Sequence, residues 1–141
     1  GCSKLSKWMQ EKLAHRQQGD RNEVRLLIQK VAEITRTMHS AQMHHQDFYL
    51  THLLRPLRND NRKIHVIDLG RVRKRKHLAK RWIIKDLAQL NYSAHLFSEK
   101  HRKRFLEAYL ERPLQEIDRG FIRSIERKTA AIARHSRKNR L

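Results

Sequence analysis

The 141 residues include one cysteine, Cys2, so no disulfide can close within the chain, and this sparse usage suits a reducing compartment. Glycine occurs four times, and nowhere as the glycine-rich loop that cradles phosphates. No strand carries a Val-Ala-x-Lys type lysine, and no βαβ pattern opens the chain. No apolar run approaches the roughly 18 residues of a membrane-crossing helix. No signal-peptide pattern is visible in these residues. Ten histidines are present, yet none falls in the Cys/His or HExxH spacing of zinc sites. Acidic residues are scarce, 14 against 33 Lys and Arg, for a formal charge of +19. Such an excess points to anionic partners: phosphate, nucleic acid or an anionic membrane surface. A basic chain whose charge has no specific target is the plain alternative. The chain opens Gly1-Cys2, which is expected of a processed product or a segment cut at a boundary; the acylation motif would require Ser or Thr where Leu5 stands.

Apolar periodicity supplies the elements. Leu5, Trp8, Met9 and Leu13 predict an amphipathic helix over 3–16. Asp20 and Glu23 form a capping-box-like start for a helix over 21–39, with Val24, Leu27, Ile28, Val31, Ile34 and Met38 on its inner face. Two short strands are expected at 51–54 and 64–69, joined through Pro56 and the Asn59-Asp60-Asn61 turn cluster. A basic loop over 71–80 follows. It is read either as a solvated charged loop or as a site for phosphate on the substrate. Residues 80–93 predict a buried helix, because Trp82, Ile83, Leu87 and Leu90 fall on more than one face. Ser98 caps a helix to about 112. Pro113 opens a final helix with Leu114, Ile117, Phe121, Ile125 and Ile132 inward. Beyond Ala133 the apolar pattern ends, and 134–141 is expected to be a basic tail.

The chemistry concentrates in Met43-His44-His45-Gln46-Asp47-Phe48-Tyr49-Leu50-Thr51-His52-Leu53-Leu54, answered by Val66-Ile67-Asp68-Leu69. A His-x-Asp, a polar residue five positions on and a second Asp closing an apolar run follow the order of a phosphotransfer site. One carboxylate faces the acceptor hydroxyl and another faces the metal on the nucleotide phosphates.

His45 through Leu54, Ile67-Asp68-Leu69 and Arg81-Trp82-Ile83-Ile84-Lys85-Asp86-Leu87-Ala88-Gln89-Leu90 together resemble the lipopolysaccharide kinase family, its core heptose kinases more than its Kdo kinases. The resemblance implies a protein-kinase-like fold and phosphate transfer from ATP, with Mg²⁺, to a heptose hydroxyl of the lipopolysaccharide inner core. It also implies a cytoplasmic location, peripheral to the inner membrane at an anionic surface. By that resemblance Asp47 is the catalytic aspartate and Asp68 the metal- and nucleotide-binding one. His52 stands on the metal side, where ordinary protein kinases have Asn, and His45 braces the loop. Asp86 is the buried aspartate supporting the loop from the central helix. Gln46 departs from the Arg common in that loop, and Leu69-Gly70 after Asp68 gives no ground for an activation-loop argument. Because Mg²⁺ prefers oxygen ligands, His52 is equally read as a partner for a phosphate or a carboxylate.

The expected fold is mainly α with a small β-hairpin, the C-terminal lobe of a protein-kinase-like fold over 1–133 followed by the tail 134–141. The ATP-covering N-lobe has no counterpart here and would have to come from outside these residues. Isolated, the 141 residues are expected to be inactive or very weak. Two other readings stay open. One is a helical nucleic-acid-binding module, which has the charge but no reading motif and few stacking aromatics besides Trp8 and Trp82. The other is a kinase-derived scaffold without catalysis.

Overall fold

A computed structural model describes residues 2–5, 7, 11, 18–56, 64–94 and 97–138. Four helices dominate: α1 (Gln18–Ser40), α2 (Lys80–Ser93), α3 (Glu99–Leu110) and α4 (Arg119–Lys138). Five short strands accompany them: β1 (Cys2–Lys4), β2 (Met43–His44), β3 (Leu53–Pro56), β4 (His65–Val66) and β5 (Arg73–Lys74). The order β1-β3-β4 makes an antiparallel three-stranded sheet, and β2 pairs antiparallel with β5.

The apolar spacing of α1 does what it predicts. Val24, Leu27, Ile28 and Val31 are buried and join Leu5, Phe48, Leu50, Leu53, Leu90 and Phe97 in one core cluster. Each such aliphatic side chain contributes about 1.5–3 kcal/mol on burial. The opposite side of α1 meets α3, where Arg36 donates to the Ala108 carbonyl at 2.9 Å and pairs with Glu111 at 3.2 Å. A second cluster, Ala32, Leu87, Tyr109, Ile117, Phe121 and Ile125, packs α2 against α3 and α4. Helix α2 therefore contacts other elements on most sides, as its two apolar faces require. Ser98 caps α3, accepting from the His101 amide at 3.3 Å.

Several boundaries differ from the sequence expectation. The helix expected over 3–16 begins as strand: Cys2–Lys4 pair with β3, so the hairpin gains a third strand. A free edge with unpaired amides and carbonyls offers more to that backbone than one more helical turn does. Leu5, Lys7 and Glu11 are helical, and the rest of that helix lies outside the described residues. Helix α1 starts at Gln18, so Asp20 lies inside its first turn and not at the cap. Residues Leu50–His52 form a 3-10 turn, and the strand starts one residue later, at Leu53. The second strand is short, His65–Val66, and a 3-10 turn at Leu69–Arg71 follows. The basic loop contains β5. Pro113 precedes a 3-10 turn, Leu114–Glu116, and not the final helix. Finally, α4 continues through Lys138, past the expected end at 133. His135, Arg137 and Lys138 occupy its last turn, where cations suit the helix dipole, and Tyr92 on α2 donates to Ser136 at 3.1 Å.

Candidate active site

The end of α1 aims the loop 45–52 into the site. Gln42 adopts a left-handed conformation, φ 64°, and stops the helix. Its carbonyl accepts from the Arg75 amide at 2.8 Å, and its side-chain oxygen accepts from the Leu78 amide at 2.7 Å. The β2–β5 pair and the loop are thereby fixed together before any charged group is considered.

One stripe of α2 then receives the loop backbone. Asp86, Gln89 and Ser93 lie at i, i+3 and i+7, on one helical face. Asp86, fully buried, accepts from the amides of His45 and Gln46, both at 2.9 Å, and from His39 Nε2 at 2.9 Å. Gln89 donates to the Gln46 carbonyl at 2.7 Å and accepts from the Phe48 amide at 2.8 Å. Ser93 Oγ accepts from the Leu50 amide at 2.8 Å. Behind Asp86, the Tyr109 hydroxyl lies 2.6 Å from His39 Nδ1. Since His39 Nε2–H faces a carboxylate, Tyr109 is the donor in that pair. Burial, and then the Asp86 charge, hold the Tyr109 hydroxyl well above the usual phenol range. Phe48, fully buried, plugs the loop into the first core cluster.

The loop so held carries two histidines with different tasks. His45 Nδ1 accepts from the Asp47 amide at 3.1 Å, and its Nε2–H donates to the Ile67 carbonyl at 3.0 Å. His52 Nδ1–H donates to the Asp47 carbonyl at 2.7 Å, and its Nε2 lies 2.9 Å from Asp68 Oδ2. Both ring nitrogens of His52 are thus taken by oxygens. Asp68 sits in the left-handed region, φ 58°, a conformation Asp tolerates better than most residues. Its side chain is 63 % exposed, open to a ligand. Asp47 is half-buried and pairs with Arg71 at 3.2 Å. Gln46, φ 72°, is a second left-handed residue in the loop, and its side chain donates to the Arg71 carbonyl at 2.8 Å.

The structure therefore brings together the sequence-selected residues His45, Asp47, His52, Asp68 and Asp86. It adds His39, Tyr109, Gln89 and Ser93, which sequence reasoning missed, and it puts Arg71, from the basic loop, on Asp47. The polar i, i+3, i+7 stripe in an otherwise apolar helix was a readable signal for Gln89 and Ser93. His39 and Tyr109 come from distant segments and left no such pattern. No group of three or more metal-ligating side chains occurs among the described residues. Oxygen-rich Mg²⁺ coordination fits the open Asp68 carboxylate together with nucleotide phosphates. It fits His52 poorly, because His52 Nε2 is directed at Asp68.

In the body of the lobe, α1, α2, α3 and α4 line a partly open, mainly apolar cavity of about 790 Å³, with Ile28, Val31, Leu90, Phe105, Leu106 and Ile122 among its lining residues. No helix among the described residues is long and apolar enough to cross a membrane.

The chain is similar to known proteins in sequence and in fold. Residues 1–109 match the model of the lipopolysaccharide kinase (Kdo/WaaP) family. The lipopolysaccharide core heptose(I) kinase WaaP of Pseudomonas aeruginosa is 38% identical over 125 residues, 82% of this chain and 46% of that protein. The protein of the same name from Escherichia coli K12 is 39% identical over 99 residues, 66% of this chain and 37% of that protein. A solved structure, described as WaaP in complex with acyl carrier protein, superposes with a TM-score of 0.77 at 33% identity, covering 93% of this chain and 57% of that one. The chain thus spans about half the length of the relatives it matches, and its fold is that of the corresponding part of a kinase-like protein. With the family model matched over residues 1–109, relatives at 38–39% identity and the fold shared across most of the chain, the protein belongs to the lipopolysaccharide kinase (Kdo/WaaP) family.

Proposed function

We propose that this chain is the C-terminal lobe of a kinase that moves the γ-phosphate of ATP onto a heptose hydroxyl of the lipopolysaccharide inner core. The observation that carries the reading is the loop itself. Asp47 and Asp68, from separate segments, are bridged by the ring of His52, and the loop that carries Asp47 is anchored on Asp86. Phosphoryl transfer proceeds mainly by positioning and charge stabilisation, so rigid placement of two carboxylates is the main demand on the lobe. Asp47 accepts the proton of the attacking hydroxyl and orients its oxygen. Arg71, 3.2 Å from Asp47, keeps that carboxylate aimed until the acceptor arrives. His52 positions Asp68 and the Asp47 backbone together. Asp68 would hold Mg²⁺ with the nucleotide phosphates, and neutralising their charge is the chemistry the ion supplies when bound. An N-lobe would have to cover the nucleotide. The strongly basic surface, +19 overall, suits peripheral association with the anionic inner face of a membrane.

The test is Asp47→Asn in a complete kinase containing this lobe, with phosphate transfer to inner-core heptose as the readout. Loss of a positioned general base lowers turnover by about 10²–10⁴-fold, with the fold retained. Unchanged turnover would remove Asp47 from this role.

A second reading concerns a protein partner. The structural neighbour is a complex with acyl carrier protein, and the 790 Å³ apolar cavity is of the size and character that takes a small apolar ligand. We propose that this chain shares that partner and that the cavity accepts its acyl group. Intact-mass analysis of the protein purified with acyl carrier protein tests it: a Leu90→Trp change, filling the cavity, should abolish retention of the acylated form.

A further inference from the structure

The mechanism above leaves unused a cluster of cations around one indole. Arg75 and Arg81 each place the guanidinium carbon 4.8 Å from the Trp82 ring centroid, and Lys85 Nζ lies 6.0 Å from it. Arg81 and Lys85 lie beside Trp82 on α2, whereas Arg75 reaches the same ring from the basic loop. None of the three has a carboxylate partner among the described residues.

The cluster is built, and it is not a loose part of a basic surface. Arg75, Trp82 and Lys85 are each half-buried. Arg75 is held by its amide bond to Gln42 and by Nε donating to His44 Nε2 at 3.0 Å. His44 is fully buried and stacks on Trp82 at 4.7 Å. Burial above all, with a further push from Arg75, keeps its imidazole below the ordinary range and so neutral, able to accept that bond. Lys85 is likewise pushed down, by burial first and then by Arg71 and Lys128. Arg75 is thus fixed from the basic loop, while Arg81 and Lys85 flank Trp82 on α2, so the three cations are held around one ring.

The cluster also adjoins the reaction centre. Arg71 touches Asp47 at 3.2 Å, and the charges of both Arg71 and Asp47 reach Lys85. Lys85 stands one turn from Trp82 and next to Asp86, the residue that holds the loop. Arg71 at Asp47 and Lys85 beside Trp82 thus connect the cluster to the reaction centre.

We propose that Trp82, Arg75, Arg81 and Lys85 form a subsite for an oxyanion, a phosphate or carboxylate, borne by the acceptor saccharide beside the hydroxyl that reacts. The placement relative to the hydroxyl rests on the reading of Asp47 as the acceptor-facing carboxylate. Arg75 and Arg81 offer forked donors matched to an oxyanion, Lys85 offers a point charge, and the indole supports a sugar face. The subsite would favour charged acceptors over neutral sugars of the same shape.

Trp82 is its own reporter. In a Trp8→Phe background, the fluorescence of Trp82 is followed while mannose 6-phosphate, or mannose, is added at constant ionic strength with chloride. The expected result is a saturable change with the phosphosugar and none with mannose, weakened about tenfold by Lys85→Gln and by Arg81→Gln, each with unchanged helical circular dichroism. A response that follows chloride equally, or that both variants leave as in the parent, overturns the subsite. So does a response to phosphatidylglycerol vesicles, absent with phosphatidylcholine, when the phosphosugar gives none, because the cluster would then be a membrane contact. Binding requires no turnover, so the two readings fail separately. Phosphosugar binding in a complete kinase that transfers no phosphate sinks the kinase reading alone; transfer without such binding sinks the subsite alone.

Discussion

Replacing Asp86 by Asn changes one oxygen to an amide and asks how much the loop depends on a carboxylate. Three donors converge there: the amides of His45 and Gln46 and the ring of His39, each at 2.9 Å. Two of them share Oδ2, and the third uses Oδ1. An Asn can present its oxygen to one side only. If the oxygen replaces Oδ2, the new NH₂ faces the Gln46 amide, donor against donor. If it replaces Oδ1, the NH₂ faces the His45 amide, while His39 can adapt by moving its proton to Nδ1 and donating to Tyr109. In both cases one backbone amide is orphaned and the charge assistance of the others is lost. An orphaned buried donor costs about 1–3 kcal/mol, and hydrogen bonds to a charged group are worth about 1.5–3 kcal/mol against roughly 1 for neutral ones. We expect Asp86→Asn to destabilise by about 2–4 kcal/mol, tolerable within a total of about 5–15 kcal/mol. Asp86→Ala, which orphans all three donors, should exceed it. Urea unfolding followed by far-UV circular dichroism gives the free energy, and hydrogen exchange at the His45 and Gln46 amides gives the local effect. A loss below about 0.5 kcal/mol, with both amides protected as in the parent, would refute the claim that this carboxylate holds the loop.

Gln89→Leu keeps the volume but leaves the Phe48 amide and the Gln46 carbonyl without their partners, so a loss of about 2–4 kcal/mol is expected in the same unfolding assay. Stability should also fall as pH is lowered. The His44 and His101 imidazoles are both depressed from their ordinary 6.5, chiefly by burial, so the fold favours their neutral forms. Their contribution is complete above pH 6.5 and is lost as pH falls through and below it, because the unfolded chain then binds the protons first. The urea midpoint should drop between pH 7.5 and 5.5, and His44→Phe should flatten that drop; a midpoint rising toward acid would contradict the sign.

Much of this was legible in the sequence, for reasons that differ by element. Helices α1 and α2 declared themselves because core contacts repeat with the helical period, as at Val24, Leu27, Ile28 and Val31. The selection of Asp47, Asp68 and Asp86 came from motif spacing and family resemblance, and their meeting in one place is a property of the structure alone. The partners of Asp86 show the limit. His39 lies 47 residues away and Tyr109 lies 70 residues from His39, and no local pattern links positions so distant. The strands were misplaced for another reason: β1 and β5 are two or three residues long and exist because a neighbouring edge was open, not because their own sequence asks for strand. The extension of α4 to Lys138 was hidden by its composition, since a basic helix end looks like a tail when only apolar periodicity is counted.

Three of the buried or half-buried histidines share a trait with a broader consequence. His39, His45 and His52 each engage both ring nitrogens, and each spans two segments: Tyr109 to Asp86, the Asp47 amide to Ile67, and the Asp47 carbonyl to Asp68. An imidazole is a flat strut with polar ends at a fixed separation and only two rotatable bonds. A Gln or Arg could reach as far, but ordering its longer side chain costs more rotamer entropy. The loop between Gln42 and Leu53 has almost no ladder hydrogen bonding of its own, yet the Asp47 backbone and the Asp68 carboxylate are held by rigid spacers. Its order thus resembles a truss more than a sheet, and a longer, more flexible side chain at any of the three positions would loosen the spacing while leaving the surrounding helices intact.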